Sequence, residues 1–142
     1  MYKMILVALE HSATDDAMLK HIEPLAKLLG SKILLVHVAD GWAARNYENL
    51  KLVESQEIKE DRAYLESVRA RLLQSGIETS TELLMGEPAD EIVKLARLRS
   101  ANLIAMSTHG HRFLSDLIYG STAEKVRHEA DIPVLLLKAP KP

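Results

Sequence analysis

Two glycine-containing segments carry the residue types that bind phosphate. The first, Ser107-Thr108-His109-Gly110, follows an apolar run over residues 101–106, and after nine further residues comes Gly120-Ser121-Thr122. Glycine lets a backbone approach a ligand where a β-carbon would collide. Backbone N–H groups at a helix N-terminus, with the positive end of the helix dipole, favour an anion. The pattern therefore predicts a phosphate site, and a nucleotide is the first candidate.

Ser121 has a second interpretation, as a helix cap. Ser121 and Glu124 have the spacing of a capping box, in which both side chains accept backbone N–H groups at a helix start. We predict that the last helix begins at Ser121 and runs to about Ala130. Capping and phosphate binding are compatible because they use different atoms.

The loop between the two glycine segments holds three more polar side chains, His109, His111 and Arg112. His109 and His111 could both be metal ligands, but no third residue of a metal-binding type lies near them in the sequence. We therefore favour a role beside phosphate for both. Arg112 is either a phosphate neighbour or an ordinary surface charge.

Apolar runs that alternate with helical patterns must position these residues. The predicted order is β-α-β-α-β-α-β-α-β, which is typical of a parallel sheet with crossover helices. We predict an α/β fold with a doubly wound, five-stranded parallel sheet, helices on both faces, and Rossmann-like connectivity. The predicted strands are 4–9, 33–38, 78–84, 103–106 and 133–137. The predicted helices are 14–29, 50–74, one that starts at about 88, and 121–130. Residues 39–50 are predicted to form a loop.

Ligands of doubly wound sheets lie beyond the carboxyl ends of the strands, near the point where the strand order reverses. Glu10, Val38 and Ser107 close strands one, two and four, so we expect them to share one crevice. His37, on strand two, is expected to be a hydrogen-bonded structural histidine rather than a base. We expect the second helix to present a solvated acidic face. That face consists of Glu54, Glu57, Glu60, Asp61 and Glu66.

Composition narrows the function further. The length of 142 residues predicts a single domain over 1–142, and 47% apolar with 27% charged residues is ordinary globular usage. A net charge of −2 provides no field that would attract nucleic acid or an anionic membrane, and the lack of cysteine excludes thiolate metal sites. The first apolar run is too short to span a bilayer. We expect a cytoplasmic protein with no nucleic-acid or membrane partner.

Three common motifs are absent from the chain. It has no Gly-x4-Gly-Lys-Ser/Thr, no Gly-x-Gly-x2-Gly and no Gly-x-Ser-x-Gly. The absences argue against a P-loop NTPase, a dinucleotide dehydrogenase and an α/β-hydrolase.

The chain resembles the universal stress protein family over nearly its whole length. ATP-binding members of that family carry Gly-x2-Gly-x9-Gly-Ser/Thr after strand four, and residues 107–121 match this pattern except that Ser107 replaces the first glycine. The segments 3–12, 34–38, 86–89 and 131–136 also agree with the family. The resemblance implies a fold similar to that of the adenine nucleotide alpha hydrolases.

The resemblance also implies a nucleotide site assembled from four segments. Ala8, Leu9 and Glu10 would line the base of the site, and Val38 would meet adenine through its backbone. Met106, Ser107 and Gly110 would approach ribose and phosphates. Gly120, Ser121 and Thr122 would hold phosphates through N–H and hydroxyl groups.

Two positions depart from the family pattern. Ser107 places a β-carbon where the ligand comes closest, and a positive φ there would strain it by roughly 1–2 kcal/mol. Its hydroxyl could instead bond ribose or phosphate, and we expect it to hold the ligand rather than block it. Glu10 stands where the family usually has aspartate. Its longer carboxylate could reach a divalent ion, Mg²⁺ or Mn²⁺, bound with the nucleotide.

The function implied by the resemblance is that of a stress-response regulator that binds ATP or AMP. The family's dimers commonly pair their last strands, which implies a homodimer here through Val134 to Leu137, acting on an unidentified protein partner. A slow ATPase or self-phosphorylating enzyme and a nucleotide-free interaction module stay open as alternatives. No convincing set of nucleophile, base and orienting carboxylate stands in the sequence, so we expect at most weak ATP hydrolysis.

Overall fold

The computed structural model describes residues 1–39, 47–108 and 113–138, with the backbone alone over 47–55 and 113–120. Strands and helices alternate along these residues, as the sequence predicts. In chain order the elements are β1 (Met4–Ala8), α1 (Thr14–Leu29), β2 (Lys32–Ala39), α2 (Tyr47–Gln74), β3 (Thr79–Met85), α3 (Pro88–Leu98), β4 (Leu103–Ser107), α4 (Phe113–Glu129) and β5 (Val134–Leu137).

The five strands form one parallel sheet in the order β3-β2-β1-β4-β5. The central strand β1 pairs with β2 on one side and with β4 on the other. The chain therefore moves outward from β1 in one direction and then returns to build the other half of the sheet. This arrangement confirms the predicted doubly wound α/β fold, and it places the reversal of strand order between β1 and β4.

Successive side chains of each strand enter two separate cores. In β1, Ile5 and Val7 belong to a core formed with α1 and α2, which we call the α1–α2 core. Leu6 belongs to a second core formed with α3 and α4, the α3–α4 core. Because both faces of the sheet are covered, the central strand β1 is continuously apolar rather than alternating. In the described part of the chain, no helix combines the length and the apolar character needed to cross a bilayer.

Two helix ends, at Leu29 and Pro88, lie where the sequence predicted them, and each follows from local chemistry. Gly30 ends α1 in the left-handed conformation, with φ 65°, and its N–H donates to the carbonyl of Ala26. A left-handed residue at this position suits glycine, which has no β-carbon to collide. Glu87 precedes α3 in an extended conformation and accepts the N–H of Asp90 over 2.7 Å, while Pro88 occupies the first turn.

The start of the last helix corrects a prediction. Helix α4 begins at Phe113, so Gly120, Ser121 and Thr122 lie inside it rather than at its N-terminus. Ser121 therefore does not cap the helix, and the capping-box interpretation is wrong. A glycine inside a helix costs only about 1 kcal/mol relative to alanine. Burial of Ala123 and Val126 in the α3–α4 core offsets that penalty.

The other boundaries differ by three residues or fewer. Strand β1 ends at Ala8 rather than Leu9, and β2 extends to Ala39 because its pairing with β3 continues as far as Met85. Helix α2 begins at Tyr47, which shortens the predicted loop over 39–50 at both ends. The rest of that loop, including Trp42, lies outside the described residues.

Candidate functional site

A crevice opens at the carboxyl edge of the sheet, where the strand order reverses. The ends of β1, β2 and β4 form its floor, and α3 and α4 form one wall. It contains about 620 Å³ of space, its open mouth included. Its lining residues are Ala8, Leu9, Glu10, Val36, His37, Val38, Pro88, Ile92, Met106, Ser107 and Thr122.

The expected convergence of three strand ends is confirmed, since Glu10, Val38 and Ser107 all line this crevice. Of the other residues assigned to the nucleotide from the sequence, Ala8, Leu9, Met106 and Thr122 also line it. Ser121 is exposed on α4 and is not among the lining residues, whereas the surroundings of Gly120 lie outside what the structure describes. His109, Gly110, His111 and Arg112 lie outside the described residues.

Sequence reasoning missed Val36, His37, Pro88 and Ile92 as lining residues. A period of two would have identified Val36, because it shares a strand face with Val38. Ile92 lies one turn after Pro88 on α3, and no sequence pattern tied this end of α3 to the crevice. His37 was interpreted only as a structural residue.

Ser107 ends β4 in an extended conformation, paired with Leu137 of β5. It is buried, with 6% of its surface exposed. Among the described residues other than glycine, positive φ occurs only at His11 and Ser100. The backbone strain considered for serine at this position therefore does not arise. Its side chain lies at the edge of the crevice without distorting the strand.

The carboxylate of Glu10 lies against two hydroxyl groups of the following turn. The hydroxyl of Thr14 donates to it, and the hydroxyl of Ser12 is 3.5 Å away. These donors hold the carboxylate over the start of α1, at the rim of the crevice. The longer side chain is thus folded back onto its own turn.

Asp15 organises the turn that carries Glu10. Its buried carboxylate accepts the backbone N–H groups of Glu10 and His11, each over 2.9 Å. It also accepts the hydroxyl of Tyr64 from α2 over 2.6 Å. Burial, followed by this bond and by the charge of Asp15, raises the pKa of the Tyr64 phenol. Because an Asp side chain satisfies otherwise unpaired N–H groups, the turn has one defined shape.

A histidine–aspartate–histidine cluster lies behind the crevice floor. His37 bonds the carbonyl oxygen of Leu9 through Nδ1 over 2.9 Å, which confirms the expected structural hydrogen bond. Its Nε2 lies 3.6 Å from Oδ2 of Asp61, while Oδ1 of Asp61 lies 2.6 Å from Nδ1 of His11. The His11 ring stacks on Tyr64 with centroids 4.1 Å apart. The solvated acidic face predicted for α2 is therefore wrong at Asp61, whose side chain is only 15% exposed.

Ion pairs join α3 to α4 beside the crevice wall. The ammonium of Lys125, one turn after Thr122, lies 3.0 Å from Asp90 and 3.5 Å from Glu87. The hydrogen bond to Asp90 raises the pKa of Lys125. The pairs are exposed, so their main effect is to fix the spacing of the two helices rather than to add much stability.

No group of three or more histidine or acidic side chains within 1–39, 56–108 and 121–138 is arranged to hold a metal ion. The donors that the crevice does offer are Glu10, Ser107 and Thr122, all oxygen groups. Such a set suits hydroxyl and phosphate oxygens of a ligand through hydrogen bonds, or a hard cation that a ligand brings with it.

Comparison with known proteins agrees with this geometry. A sequence profile described as the universal stress protein family matches residues 1–138. Universal stress protein MJ0531 of Methanocaldococcus jannaschii is 32% identical over 146 residues, which cover 99% of this chain and 85% of that protein. Universal stress protein MJ0577 of the same organism is 30% identical, covering 97% of this chain and 96% of its own length.

Solved structures repeat the fold over the whole chain. The structure of MJ0577 superposes with a TM-score of 0.87 at 28% identity, over 99% of this chain and 98% of that one. A universal stress protein from Archaeoglobus fulgidus in complex with dAMP superposes with a TM-score of 0.72 at 26% identity, over 96% and 98%. That relative holds an adenine nucleotide.

Proposed function

This chain belongs to the universal stress protein family, and we propose that it is a regulator that binds an adenine nucleotide, ATP or AMP, in the crevice at the carboxyl edge of its sheet. The observation that carries the proposal is the convergence of Glu10, Val38 and Ser107, from three separate segments, on one cavity. The dAMP bound to the Archaeoglobus fulgidus relative supports the choice of ligand.

The chemistry of the crevice suits the two halves of a nucleotide. Ala8, Val38 and Ile92 provide apolar contacts for a flat base, whereas Ser107 and Thr122 provide hydroxyl groups for ribose and phosphate. Mg²⁺ or Mn²⁺ would enter with the nucleotide, bound by its phosphates. The proposed ligand contacts are Ala8, Leu9, Glu10, Val38, Met106, Ser107, His109, Gly110, His111, Arg112, Gly120, Ser121 and Thr122.

The regulatory step would be a change in α4. In a helix, each backbone N–H donates to the carbonyl four residues earlier, so the N–H groups of Gly120 and Ser121 are engaged within α4. For them to hold phosphate, the turns of α4 before Gly120 must open. A ligand that binds the open form more tightly shifts the population toward it and changes the surface that a protein partner meets.

We also infer a homodimer that pairs β5 with its copy, because the two edges of the sheet differ. At the β3 edge, Arg99 pairs with Glu82 over 3.1 Å and approaches Ser80, so charge discourages another strand. The β5 edge, Val134–Leu137, reads Val-Leu-Leu-Leu and is only half-buried. An apolar edge strand of this kind needs a cover, and a second copy provides one.

Calorimetric titration with ATP, ADP and AMP tests the proposal. We expect measurable heat and a rise in Tm with at least one nucleotide. Ala8→Leu fills part of the crevice and should weaken binding by about tenfold or more. Ala13→Leu makes the same change at an exposed position before α1 and should leave binding unchanged.

Two outcomes decide the proposal. Absence of both heat and thermal shift at about 1 mM nucleotide, a weak binding limit, would contradict it and favour a nucleotide-free interaction module. Phosphate release from ATP, measured beside Glu10→Ala, separates binding from hydrolysis. A rate equal to that of the variant supports binding without catalysis.

A further inference from the structure

We propose, on the basis of the function proposed above, that His11 is a positioning residue for the nucleotide. Its left-handed backbone, held in place by α2, sets the position of the Glu10 carboxylate at the crevice. Glu10 lines the crevice, whereas His11 does not. An effect of His11 on a ligand should therefore pass through the turn that joins β1 to α1.

The backbone of His11 has a conformation that no helix end explains. Its φ is 59°, and Ser100 is the other described residue besides glycine with a positive φ. Ser100 follows α3, and the N–H of Ala101 there donates to the carbonyl of Ala96, a closure that favours a left-handed residue. His11 lies between a strand and a helix start, where no such closure exists. A residue with a β-carbon keeps this unfavourable conformation only where its surroundings impose it.

Contacts from two helices impose the conformation of His11. Oδ1 of Asp61, on α2, lies 2.6 Å from Nδ1 of the His11 ring. The ring also stacks on Tyr64 of α2, with centroids 4.1 Å apart and planes inclined by 17°. The backbone N–H of His11 donates to Asp15 of α1 over 2.9 Å. The residue is therefore held through its ring by one helix and through its backbone by another.

The chain on either side of Glu10 and His11 is fixed by other bonds. Leu9 is held by β2, because its N–H donates to the carbonyl of Val36 over 2.8 Å. Ser12 is held by α1, because its carbonyl accepts a backbone N–H of the first helical turn over 3.1 Å. Only Glu10 and His11 lie between these points, so the φ of His11 helps to decide where the chain carries Glu10.

The position of Glu10 matters because of what its carboxylate can accept. It accepts the hydroxyl of Thr14 and lies 3.5 Å from that of Ser12, at the rim of the crevice. Among the described lining residues, Glu10 alone carries a carboxylate. An ionised carboxylate can only accept hydrogen bonds, and the amino group and ribose hydroxyls of an adenine nucleotide are donors. We therefore expect Glu10 to accept a donor of the nucleoside part.

The test titrates AMP and ATP calorimetrically without a divalent ion, since both carry the same nucleoside part. His11→Gly permits the left-handed backbone but removes the ring that fixes it. We expect affinity for both nucleotides to fall about two- to tenfold, the range for one hydrogen bond. His11→Asn tolerates the same backbone and keeps an N–H donor near the position of Nδ1, so it should retain most of the affinity.

A double-mutant cycle with Glu10 separates positioning from a general loosening of the fold. If His11 acts through Glu10, His11→Gly should change the affinity by less than about twofold in the Glu10→Ala background. A merely structural role would weaken binding by the same factor in both backgrounds. That result would overturn the inference.

Variants of Asp61 test the connection to α2. Asp61→Ala removes the oxygen that holds the His11 ring and should lower nucleotide affinity by a factor similar to that of His11→Gly. Asp61→Asn keeps an acceptor oxygen and should lower it less. Glu57→Ala changes an exposed acidic residue one turn earlier on the same helix and is the matched control, with no expected effect. Equal losses in the alanine variants of Asp61 and Glu57 would contradict the connection.

Amide hydrogen exchange gives a readout that needs no ligand. The N–H groups of Glu10 and His11 both donate to Asp15, so the protection of the amides at positions 10 and 11 should fall in His11→Gly and be largely retained in His11→Asn. Native affinity or native protection in His11→Gly overturns the inference and leaves the proposed function intact. Absence of heat with both nucleotides for the unmodified protein overturns both.

Discussion

The hydroxyl of Tyr64 donates a hydrogen bond to the carboxylate of Asp15 over 2.6 Å, and this bond joins α2 to the first turn of α1. The same carboxylate accepts the backbone N–H groups of Glu10 and His11. One buried side chain therefore connects a distant helix to the turn that forms part of the crevice.

Replacement of Tyr64 by phenylalanine should lower the free energy of unfolding by about 1 kcal/mol. The change removes one hydrogen bond to a charged acceptor, while the backbone N–H groups still satisfy that acceptor. Urea denaturation measures the difference. Tyr2→Phe, at a half-buried position packed against the α1–α2 core, is the matched control and should have a smaller effect. Equal losses in the two variants would contradict the role of the bond.

The raised pKa of Tyr64 predicts an alkaline loss of stability. Its phenol gives up its proton in the unfolded chain near the usual value of about 10, but at higher pH in the folded protein, because burial and Asp15 disfavour the phenolate. The folded state then binds more protons than the unfolded state, so the contribution is complete below about pH 10 and declines above it. Unfolding free energies from pH 8 to 11 should fall more steeply for the native chain than for Tyr64→Phe. Parallel profiles would contradict the assignment.

Ser107 can be tested by removing its hydroxyl and its β-carbon separately. If the hydroxyl holds the ligand, Ser107→Ala and Ser107→Gly should both weaken nucleotide binding by about two- to tenfold, the range for one hydrogen bond. If the β-carbon obstructs the ligand, Ser107→Gly should tighten binding and Ser107→Ala should resemble the native protein. We expect the first result, because the residue is unstrained at the crevice edge. Calorimetric titration distinguishes them.

The start of α3 should depend on the side chain of Glu87. Glu87→Ala removes the oxygen that accepts the N–H of Asp90, and we expect a loss of about 1 kcal/mol in the free energy of unfolding. Glu87→Gln keeps an acceptor oxygen and should retain most of that stability. A loss of equal size in both variants would assign the effect to the charge that faces Lys125 instead.

A charge on the β5 edge should prevent the proposed dimer. Leu136→Lys places an ammonium in the centre of that edge strand, and burying it in an interface would be costly. Light scattering should then report a monomer of 15.9 kDa. Met85→Lys places the same charge on the opposite edge strand, β3, and should leave the native dimer intact. A native protein that is monomeric would contradict the proposal directly.

The arrangement of the sheet could be predicted because it depends on patterns that repeat along the chain. Continuous apolar runs between helical segments require a parallel sheet covered on both faces, and that topology brings Glu10, Val38 and Ser107 together. Gly30 and Pro88 marked helix boundaries because each has a backbone preference that the boundary needs.

The remaining features depend on contacts between distant segments. The helical pattern before Gly120 is weak, and burial of Ala123 and Val126 in the α3–α4 core stabilises a helix that starts earlier than local signals indicate. Asp61 was assigned to solvent because its sequence neighbours are acidic and exposed. Its partners, His11 and His37, lie in other elements, and no local period reveals such a pair.

Because side chains alternate between the two faces along β1, the crevice is sensitive to whether an odd or an even number of residues is inserted in that strand. Leu9 belongs to the α1–α2 core, and Ala8 packs on the α3–α4 core, so each neighbour faces the opposite layer. Insertion of a single residue within β1 would turn each later side chain of that strand to the opposite face of the sheet. Insertion of two residues would keep every side chain on its original face and would shift the end of β1 by one two-residue repeat of the strand. An odd change in length at this strand is therefore a more severe mutation than an even one, although it alters less of the sequence.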